Sequence, residues 1–177
     1  MTEKIIISGA GGQGVMLLGR VIAEVALNEN KFTSWLPSYG AEVRGGSAFC
    51  MVVVSDEEIP SPYIEKADTL IVFNKPSLEK FISWLKPEGL LLVNSSLVPK
   101  LNPNKNIQIL SFPLTEIAVK LGNIKVANMV ALGIYLKRKK LFDIKTVFKT
   151  IKKITLSDKK NLIDINIKAI KEGLNLI

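Results

Sequence analysis

The sequence predicts an α/β fold: a three-layer α/β/α domain with a mostly parallel or mixed central sheet. Strand-like apolar runs alternate with helix-like segments along the 177 residues, which is typical of such folds. Most of the strand-like runs are apolar without interruption, as expected where helices cover both faces of a sheet. Because the length is usual for one domain, we expect a single domain over residues 1–177.

Six short apolar runs predict strands at Ile5–Ser8, Phe32–Leu36, Ala48–Val54, Thr69–Phe73, Leu90–Val93 and Ile107–Leu110. The second and third runs are joined by a loop instead of a helix, so we expect that pair to be antiparallel and the sheet to be mixed. Apolar residues at helical spacing predict helices at Val15–Asn28, Ser77–Leu85, Leu114–Lys120, Ala127–Lys140, Ile144–Ile154 and Asp158–Glu172. The last helix is amphipathic, and we expect it to pack on the sheet.

The composition excludes several kinds of site. Histidine is absent and cysteine occurs once, as Cys50, so the chain has no internal disulfide and cannot build an iron–sulfur or cysteine zinc site by itself. Cys50 stands inside an apolar run, which indicates a buried small hydrophobe instead of a nucleophile. The absence of histidine also removes the commonest general base and the commonest metal ligand. Without a long apolar run or a signal peptide before Lys4, we expect a cytoplasmic protein.

Positive charge is concentrated in the second half of the chain. Residues 1–100 hold 9 Lys and Arg against 11 Asp and Glu, whereas residues 101–177 hold 15 against 5. In the predicted helix Ile144–Ile154, four lysines fall largely opposite the apolar residues: Lys145, Lys149, Lys152 and Lys153. Such a stripe is either a solvated face or a contact surface for an acidic partner or a phosphate ligand. Nucleic acid is disfavoured, because no aromatic residues interleave with the lysines.

The first strand leads directly into GAGGQG (residues 9–14), which is followed at once by a predicted helix. Glycines allow positive φ and a close approach of a ligand to the backbone, and the first N–H groups of a helix have no partner within it. The pattern predicts a loop that binds a phosphate or a CoA-type anion, although a purely structural turn is the alternative. The candidate contacts are Gly9, Gly11, Gly12, Gln13 and Gly14.

A nicotinamide or flavin cofactor is disfavoured. Its fingerprint places an Asp or Glu about 20 residues further on, at the end of the second strand, to hold the ribose hydroxyls. Here the second strand is followed by Pro37 and Ser38, and Glu29 lies before that strand.

A second loop, PSYGAEVRGGS (residues 37–47), joins the second and third strands. An arginine beside glycines can present its planar guanidinium to a phosphate or a carboxylate. We expect Arg44 to be the charged contact and Glu42 to support it or to bridge to another subunit. Tyr39 is expected either to stack on a ligand or a neighbouring subunit or to be a partly buried structural residue, and Gly45 and Gly46 complete the candidate site. A solvated surface turn is the alternative.

Four further polar residues, in two parts of the chain, are candidates for the site. Asn128 opens an apolar helix, where it serves as a site residue or as an N-cap. Asn94, Ser95 and Ser96 follow a strand and are expected to line the same crevice, since ligands of open α/β sheets gather at the carboxyl ends of the strands.

Together, GAGGQG and SYGAEVRGG (residues 38–46) resemble the gamma subunit of the 2-oxoacid:ferredoxin oxidoreductases. The similarity continues through ADTLIVFN (67–74), LKPEG (85–89), NSS (94–96) and VANMVALG (126–133), and so covers roughly residues 4–136. Beyond Lys137 no motif is shared.

The resemblance implies a subunit that is not catalytic alone, with no catalytic residue and no metal site in this chain. Members of the family convert a 2-oxoacid, CoA and oxidised ferredoxin into acyl-CoA, carbon dioxide and reduced ferredoxin. Thiamine diphosphate lies in the partner alpha and beta subunits, and the iron–sulfur clusters lie in the beta and delta parts. The resemblance thus implies no cofactor bound by this chain alone, CoA as a substrate at a shared site, and ferredoxin as a partner through the complex. From the composition we expect neither nucleic acid nor a membrane as a partner.

Tyr39 and the ending Gly45-Gly46-Ser47 resemble the 2-oxoglutarate branch of the family more than the pyruvate branch. We therefore rank 2-oxoglutarate first, branched-chain oxoacids or pyruvate next, and indolepyruvate last. Two other classes of function stay open: a free-standing dinucleotide-binding enzyme, and an anion-binding or regulatory module that acts alone.

Overall fold

The computed structural model of the chain describes residues 1–39, 47–98, 106–155 and 160–177. The strands are β1 (Thr2–Ala10), β2 (Phe32–Tyr39), β3 (Ser47–Ser55), β4 (Ala67–Val72), β5 (Leu85–Asn94) and β6 (Gln108–Phe112). The helices are α1 (Val15–Asn28), α2 (Lys75–Phe81), α3 (Leu114–Lys120), α4 (Ala127–Lys139), α5 (Ile144–Ile154) and α6 (Lys160–Asn175). These elements confirm the predicted alternation of strands and helices.

One helix is shorter than the spacing predicts. The segment Ser77–Leu85 is helical only to Phe81, continues as a single 3-10 turn, and enters β5 at Leu85. Pro87 follows closely, and the residue before a proline is disfavoured in helical backbone.

The six strands form one mixed sheet in the order β2-β3-β1-β4-β5-β6. β3 is antiparallel to both of its neighbours, and the other pairs are parallel, which confirms the expected antiparallel pair. β1, β2, β4, β5 and β6 therefore run in one direction, and their carboxyl ends lie along one edge. We call it the carboxyl edge.

Helices cover the two faces of the sheet unequally. One face, which includes Ile5 and Ile7, packs against α1 and the helices that follow β6. The other face, which includes Ile6, packs against Phe81 of α2 and Ile64. Successive residues of β1 point to opposite faces, so both cores are built on the same strands. The three expected layers are present, and the one with α2 is thin.

α6 packs on α4, so the expectation that it packs on the sheet was wrong. α4 is buried over ten consecutive residues, Ala127–Leu136, and a helix that is buried all round needs cover on its outer side as well. The two helices touch at two glycines. A Cβ on Gly133 would lie 2.1 Å from the Ile170 carbonyl oxygen, and a Cβ on Gly173 would lie 2.1 Å from the Val130 carbonyl oxygen.

Within the described ranges, the helices are too short or too polar to cross a membrane.

Gly173→Ala is expected to lower the free energy of unfolding by roughly 1–3 kcal/mol, despite the higher helix propensity of alanine. The new methyl group would meet the backbone of α4, which cannot move aside without opening the contact between the helices. Urea denaturation measures the change. Lys137→Ala, at an exposed position of α4, is the control and should change stability by less than about 0.5 kcal/mol. Equal stability of the two variants would contradict close packing of α6 on α4.

Candidate functional site

Gln13 closes the loop between β1 and α1. Its backbone N–H donates to the Ala10 carbonyl at 3.2 Å, and its side-chain Oε1 accepts from the Ala10 N–H at 2.6 Å. Gly9 is buried beneath it, because a Cβ there would lie 2.5 Å from Gln13 Oε1. Gly11 and Gly12 are exposed at the tip, and Gly12 has a φ of 92°. The predicted loop is therefore present, and its exposed backbone lies at residues 11 and 12.

The N-terminus of α1 has backbone N–H groups that no described side chain caps. Gly14 occupies the N-cap with a φ of 73°, and among the described residues no side chain accepts a hydrogen bond from the first turn. The first N–H groups of a helix have no partner inside it, and the helix dipole places partial positive charge there. The loop can therefore donate several backbone hydrogen bonds to a phosphate or carboxylate.

Asn128 joins this loop to α4. Its side chain is 1% exposed, and its Nδ2 donates to the Gly14 carbonyl at 3.0 Å. A Cβ on Gly14 would lie 2.3 Å from that Nδ2, so position 14 excludes a side chain by space as well as by φ. The N-cap interpretation of Asn128 was wrong: α4 begins at Ala127 with Val126 at its cap, because the side chain of Asn128 is engaged across the molecule.

A cavity opens at the carboxyl edge beside the loop. β1 continues into α1 on one face of the sheet and β4 into α2 on the other, and ligands of open α/β sheets bind where the connections diverge in this way. The cavity volume is about 310 Å³, within the usual size range of small-molecule sites. Its lining comes from the loop of residues 9–14, which we call the glycine loop, the ends of β4 and β5, and the starts of α3 and α4: Gly12, Gln13, Phe73, Asn94, Leu97, Thr115, Ile124, Lys125 and Ala127.

Asn94 holds one wall of the cavity in place, which confirms it as a lining residue, whereas Ser95 and Ser96 are not among the lining residues. Its Nδ2 donates to Thr115 Oγ1 at 2.9 Å and to the Phe73 carbonyl at 3.4 Å, and its Oδ1 accepts from the Thr115 N–H at 3.3 Å. The side chain is 1% exposed. A buried amide with these partners ties the ends of β4 and β5 to α3.

The rim of the cavity was missed by sequence reasoning. Leu97 and Ile124 are 44% and 58% exposed, and Lys125 is an exposed cation beside them. An apolar rim with one cation suits a ligand that carries both an apolar part and an anionic group. These residues come from two distant segments without a shared motif. The sequence feature that comes closest to indicating this rim is the position of Lys125 shortly before a predicted helix.

The second predicted loop is flanked by residues at the same edge. Tyr39 ends β2, and Ser47 begins β3 and pairs with Ala10 at the end of β1. Because β2 runs parallel to β1, Tyr39 and Ser47 both lie at the carboxyl edge, and Ser47 lies beside the start of the glycine loop. Glu42, Arg44, Gly45 and Gly46 lie outside the described residues, and their contacts stay predictions, as does the contact of the Tyr39 side chain.

Cys50 is fully buried in β3 beneath α1, which confirms its structural interpretation. Its Sγ donates to the Val15 carbonyl at 3.6 Å. Burial raises the pKa of the thiol from 9.0 to about 12, because a thiolate there would lose its hydration. Thiolate is the reactive form, so Cys50 is inert in the folded chain.

Iodoacetamide at mildly alkaline pH is expected to leave Cys50 unmodified in the native chain and to alkylate it after unfolding in urea. Mass spectrometry of the intact chain measures the added group. The raised pKa favours the neutral thiol in the folded state. Its contribution to stability is therefore complete below pH 9 and is lost as the pH rises towards 12. Rapid alkylation of the native chain would contradict burial of this thiol.

Asn128→Ala is expected to lower the free energy of unfolding by about 1–3 kcal/mol and to speed amide hydrogen exchange in the loop 11–15. The variant removes the hydrogen bond to the Gly14 carbonyl and leaves that oxygen without its side-chain partner. Asn28→Ala is the matched control, since Asn28 donates one hydrogen bond of 2.9 Å to Thr150 Oγ1 at the other end of α1. The control should leave exchange in the loop unchanged. Slow exchange in both variants would show that Asn128 does not hold the loop.

Comparison with known proteins identifies the family. The sequence pattern described as pyruvate ferredoxin/flavodoxin oxidoreductase matches residues 4–176. Ketoisovalerate oxidoreductase subunit VorA of Methanothermobacter marburgensis is 34% identical over 170 residues, which are 96% of this chain and 35% of that protein. 2-Oxoglutarate synthase subunit KorC of Methanocaldococcus jannaschii is 37% identical over 138 residues, which are 75% of this chain and 73% of that protein. This chain thus spans about a third of the length of the ketoisovalerate relatives it matches.

The fold is shared with solved structures. The keto/oxoacid ferredoxin oxidoreductase gamma subunit from Geobacter sulfurreducens matches with a TM-score of 0.85 and 31% identity, over 98% of this chain and 94% of that chain. A chain of 2-oxoglutarate:ferredoxin oxidoreductase from Magnetococcus marinus matches with a TM-score of 0.87 over 98% of this chain and 30% of that one. Its identity is 20%, so this second likeness shows the fold alone. The chain belongs to the pyruvate ferredoxin/flavodoxin oxidoreductase family, as a protein of its gamma-subunit type.

Proposed function

We propose that this chain is the gamma subunit of a 2-oxoacid:ferredoxin oxidoreductase and forms part of its CoA site. The observation that supports this most is the cavity at the carboxyl edge, which combines exposed loop backbone, the N-terminus of α1 and Lys125. The chemistry of the reaction belongs to thiamine diphosphate and iron–sulfur clusters on partner subunits, and this chain binds and orients CoA.

The lining suits the two parts of CoA. The phosphates are anionic acceptors, and the backbone N–H groups of Gly11, Gly12, Gly14 and Val15 and the Lys125 ammonium are the matching donors. Leu97 and Ile124 offer apolar surface to the uncharged part of the molecule. CoA is larger than a cavity of about 310 Å³, which supports a site shared with a partner subunit. Arg44, Glu42 and Tyr39 remain proposed contacts from the neighbouring loop.

A free-standing dinucleotide-binding enzyme is less well supported. Dinucleotide folds of this kind place the second strand beside the first in a parallel sheet, so that an acid at its end reaches the ribose. Here the antiparallel β3 lies between β1 and β2. Glu29 is engaged elsewhere, because its Oε1 accepts from the Asp143 N–H at 2.8 Å.

Two oxoacids are proposed as substrates of the complex. Tyr39 and the residues that precede Ser47 favour 2-oxoglutarate, and KorC proteins of the 2-oxoglutarate type reach 37% identity. The ketoisovalerate proteins match a larger share of this chain, 96% against 75%. A branched-chain oxoacid is therefore the second candidate.

The function is tested on the native complex, isolated without oxygen through a tag on this chain. We expect partner subunits with iron–sulfur clusters, and CoA-dependent reduction of a low-potential acceptor with 2-oxoglutarate or ketoisovalerate. Pyruvate and indolepyruvate serve as comparison substrates. Isolation of this chain without such partners and without activity would contradict the proposal and would favour an anion-binding module that acts alone.

In that complex, Lys125→Ala is expected to raise the Michaelis constant for CoA about tenfold, because a charge-assisted hydrogen bond to phosphate is lost. The Michaelis constant for the oxoacid should stay unchanged. Lys120→Ala is the matched control, since Lys120 is exposed on α3 and does not line the cavity. Arg44→Ala is expected to act in the same direction as Lys125→Ala. An unchanged constant for CoA in both site variants would place CoA elsewhere.

A further inference from the structure

The lysines of α5 form an exposed surface outside the cavity at the carboxyl edge. α5 is capped by Asp143, whose side chain accepts from the Lys145 N–H at 2.9 Å, and it buries Val147, Thr150 and Ile151. Four lysines are exposed on its outer side, and we call them the basic face: Lys145, Lys149, Lys152 and Lys153. α6 extends this face, because Lys171 Nζ lies 5.8 Å from the centre of the Phe148 ring.

The charge of the basic face is not compensated within the part of the chain that the structure describes. Residues 137–155 contain eight Lys and Arg and one acid, Asp143, which is used as the cap of α5. The described ion pairs engage other cations: Arg20, Lys31, Lys75, Lys86 and Lys139. Lys145, Lys149 and Lys153 follow one another at four-residue intervals, where like charges repel and destabilise a helix. An acidic partner would relieve this repulsion.

A groove in the basic face fits a carboxylate. It has a volume of about 320 Å³ and is lined by Lys149, Lys153, Asn28, Thr146 and Thr150. Asn28 donates to Thr150 Oγ1 at 2.9 Å, and Thr150 Oγ1 donates to the Thr146 carbonyl at 2.8 Å. Asn28 and Thr150 thus bond within the wall, and the two ammonium groups are the cations available to an incoming acceptor.

We propose that the basic face docks on an acidic surface of another protein subunit, with an Asp or Glu of that subunit in the groove between Lys149 and Lys153. The partner is a subunit of the complex, so this inference rests on the proposed function. Lys145 to Lys153 spans about 12 Å along the helix, which suits an extended protein surface better than a single small anion. Nucleic acid is disfavoured, because among the described residues the face has no exposed aromatic side chain for base stacking.

The test compares two double variants in the complex isolated through the tagged chain. Lys149→Glu with Lys153→Glu is expected to weaken binding to the partner subunits at least tenfold and to reduce its dependence on salt. Lys66→Glu with Lys120→Glu, at two exposed positions outside the basic face, is the matched control and should change binding less than twofold. Equal binding by both double variants would overturn the proposal.

Stability of the isolated chain separates docking from folding. Lys149→Gln with Lys153→Gln removes repulsion within α5, so its unfolding midpoint in urea should equal or exceed that of the wild type while binding to the partners still falls. A lowered midpoint together with unchanged binding would give these lysines a structural role and overturn the proposal.

Carbodiimide cross-linking of the wild-type complex identifies the partner residues. We expect Lys149 or Lys153 to be joined to an Asp or Glu of another subunit. Partner subunits that co-purify without such a link would overturn this inference and leave the proposed function standing. If the wild-type chain retained nucleic acid, the docking proposal would be overturned. If the wild-type chain were isolated without partner subunits, both the docking proposal and the proposed function would be overturned.

Discussion

The contact between Gly14 and Asn128 determines where the candidate site lies. Gly14 combines a φ of 73°, an N-cap position and a carbonyl that accepts from Asn128. Any side chain at position 14 would meet the Asn128 amide, so α1 and α4 could no longer approach each other at this end. The cavity wall includes Ile124 and Lys125, which lie just before α4, and Ala127, which is its first residue. Its position relative to the glycine loop therefore depends on this one hydrogen bond and on the space that glycine leaves.

The elements of the fold could be predicted from local sequence, but their arrangement could not. The loop between Tyr39 and Ser47 is too short for a crossover helix, which indicated that β2 and β3 are antiparallel. The insertion of β3 between β2 and β1 depends on pairing with β1, and no local pattern reports that pairing. The packing of α6 on α4 was missed for a similar reason. It depends on Gly133 and Gly173, whose mutual contact joins residues 40 positions apart in the sequence.

Local sequence likewise predicted one part of the candidate site and did not predict the other. The glycine loop is a local motif, and its location at the end of β1 follows from the order of strand, glycines and helix. Asn128 was identified as a candidate, but its partner is 114 residues away, so its sequence context suggested a cap. The rim brings together Leu97, Ile124 and Lys125 only because β5 ends at the carboxyl edge and α4 begins there. Such a rim follows from the topology of the sheet, and the spacing of residues within one segment does not predict that topology.

α1 separates the two surfaces on which the proposals rest. Its N-terminus borders the cavity, and its last residue, Asn28, lines the groove of the basic face. Fourteen helical residues place these ends about 20 Å apart. A subunit docked on the groove at Asn28 would thus leave the cavity open. The part of CoA that the cavity does not hold would then be contacted by a partner subunit at the other end of α1. Leu97 and Ile124 lie there, and their exposed apolar side chains are available for that contact. One rigid helix can in this way separate attachment to the complex from the binding of its substrate.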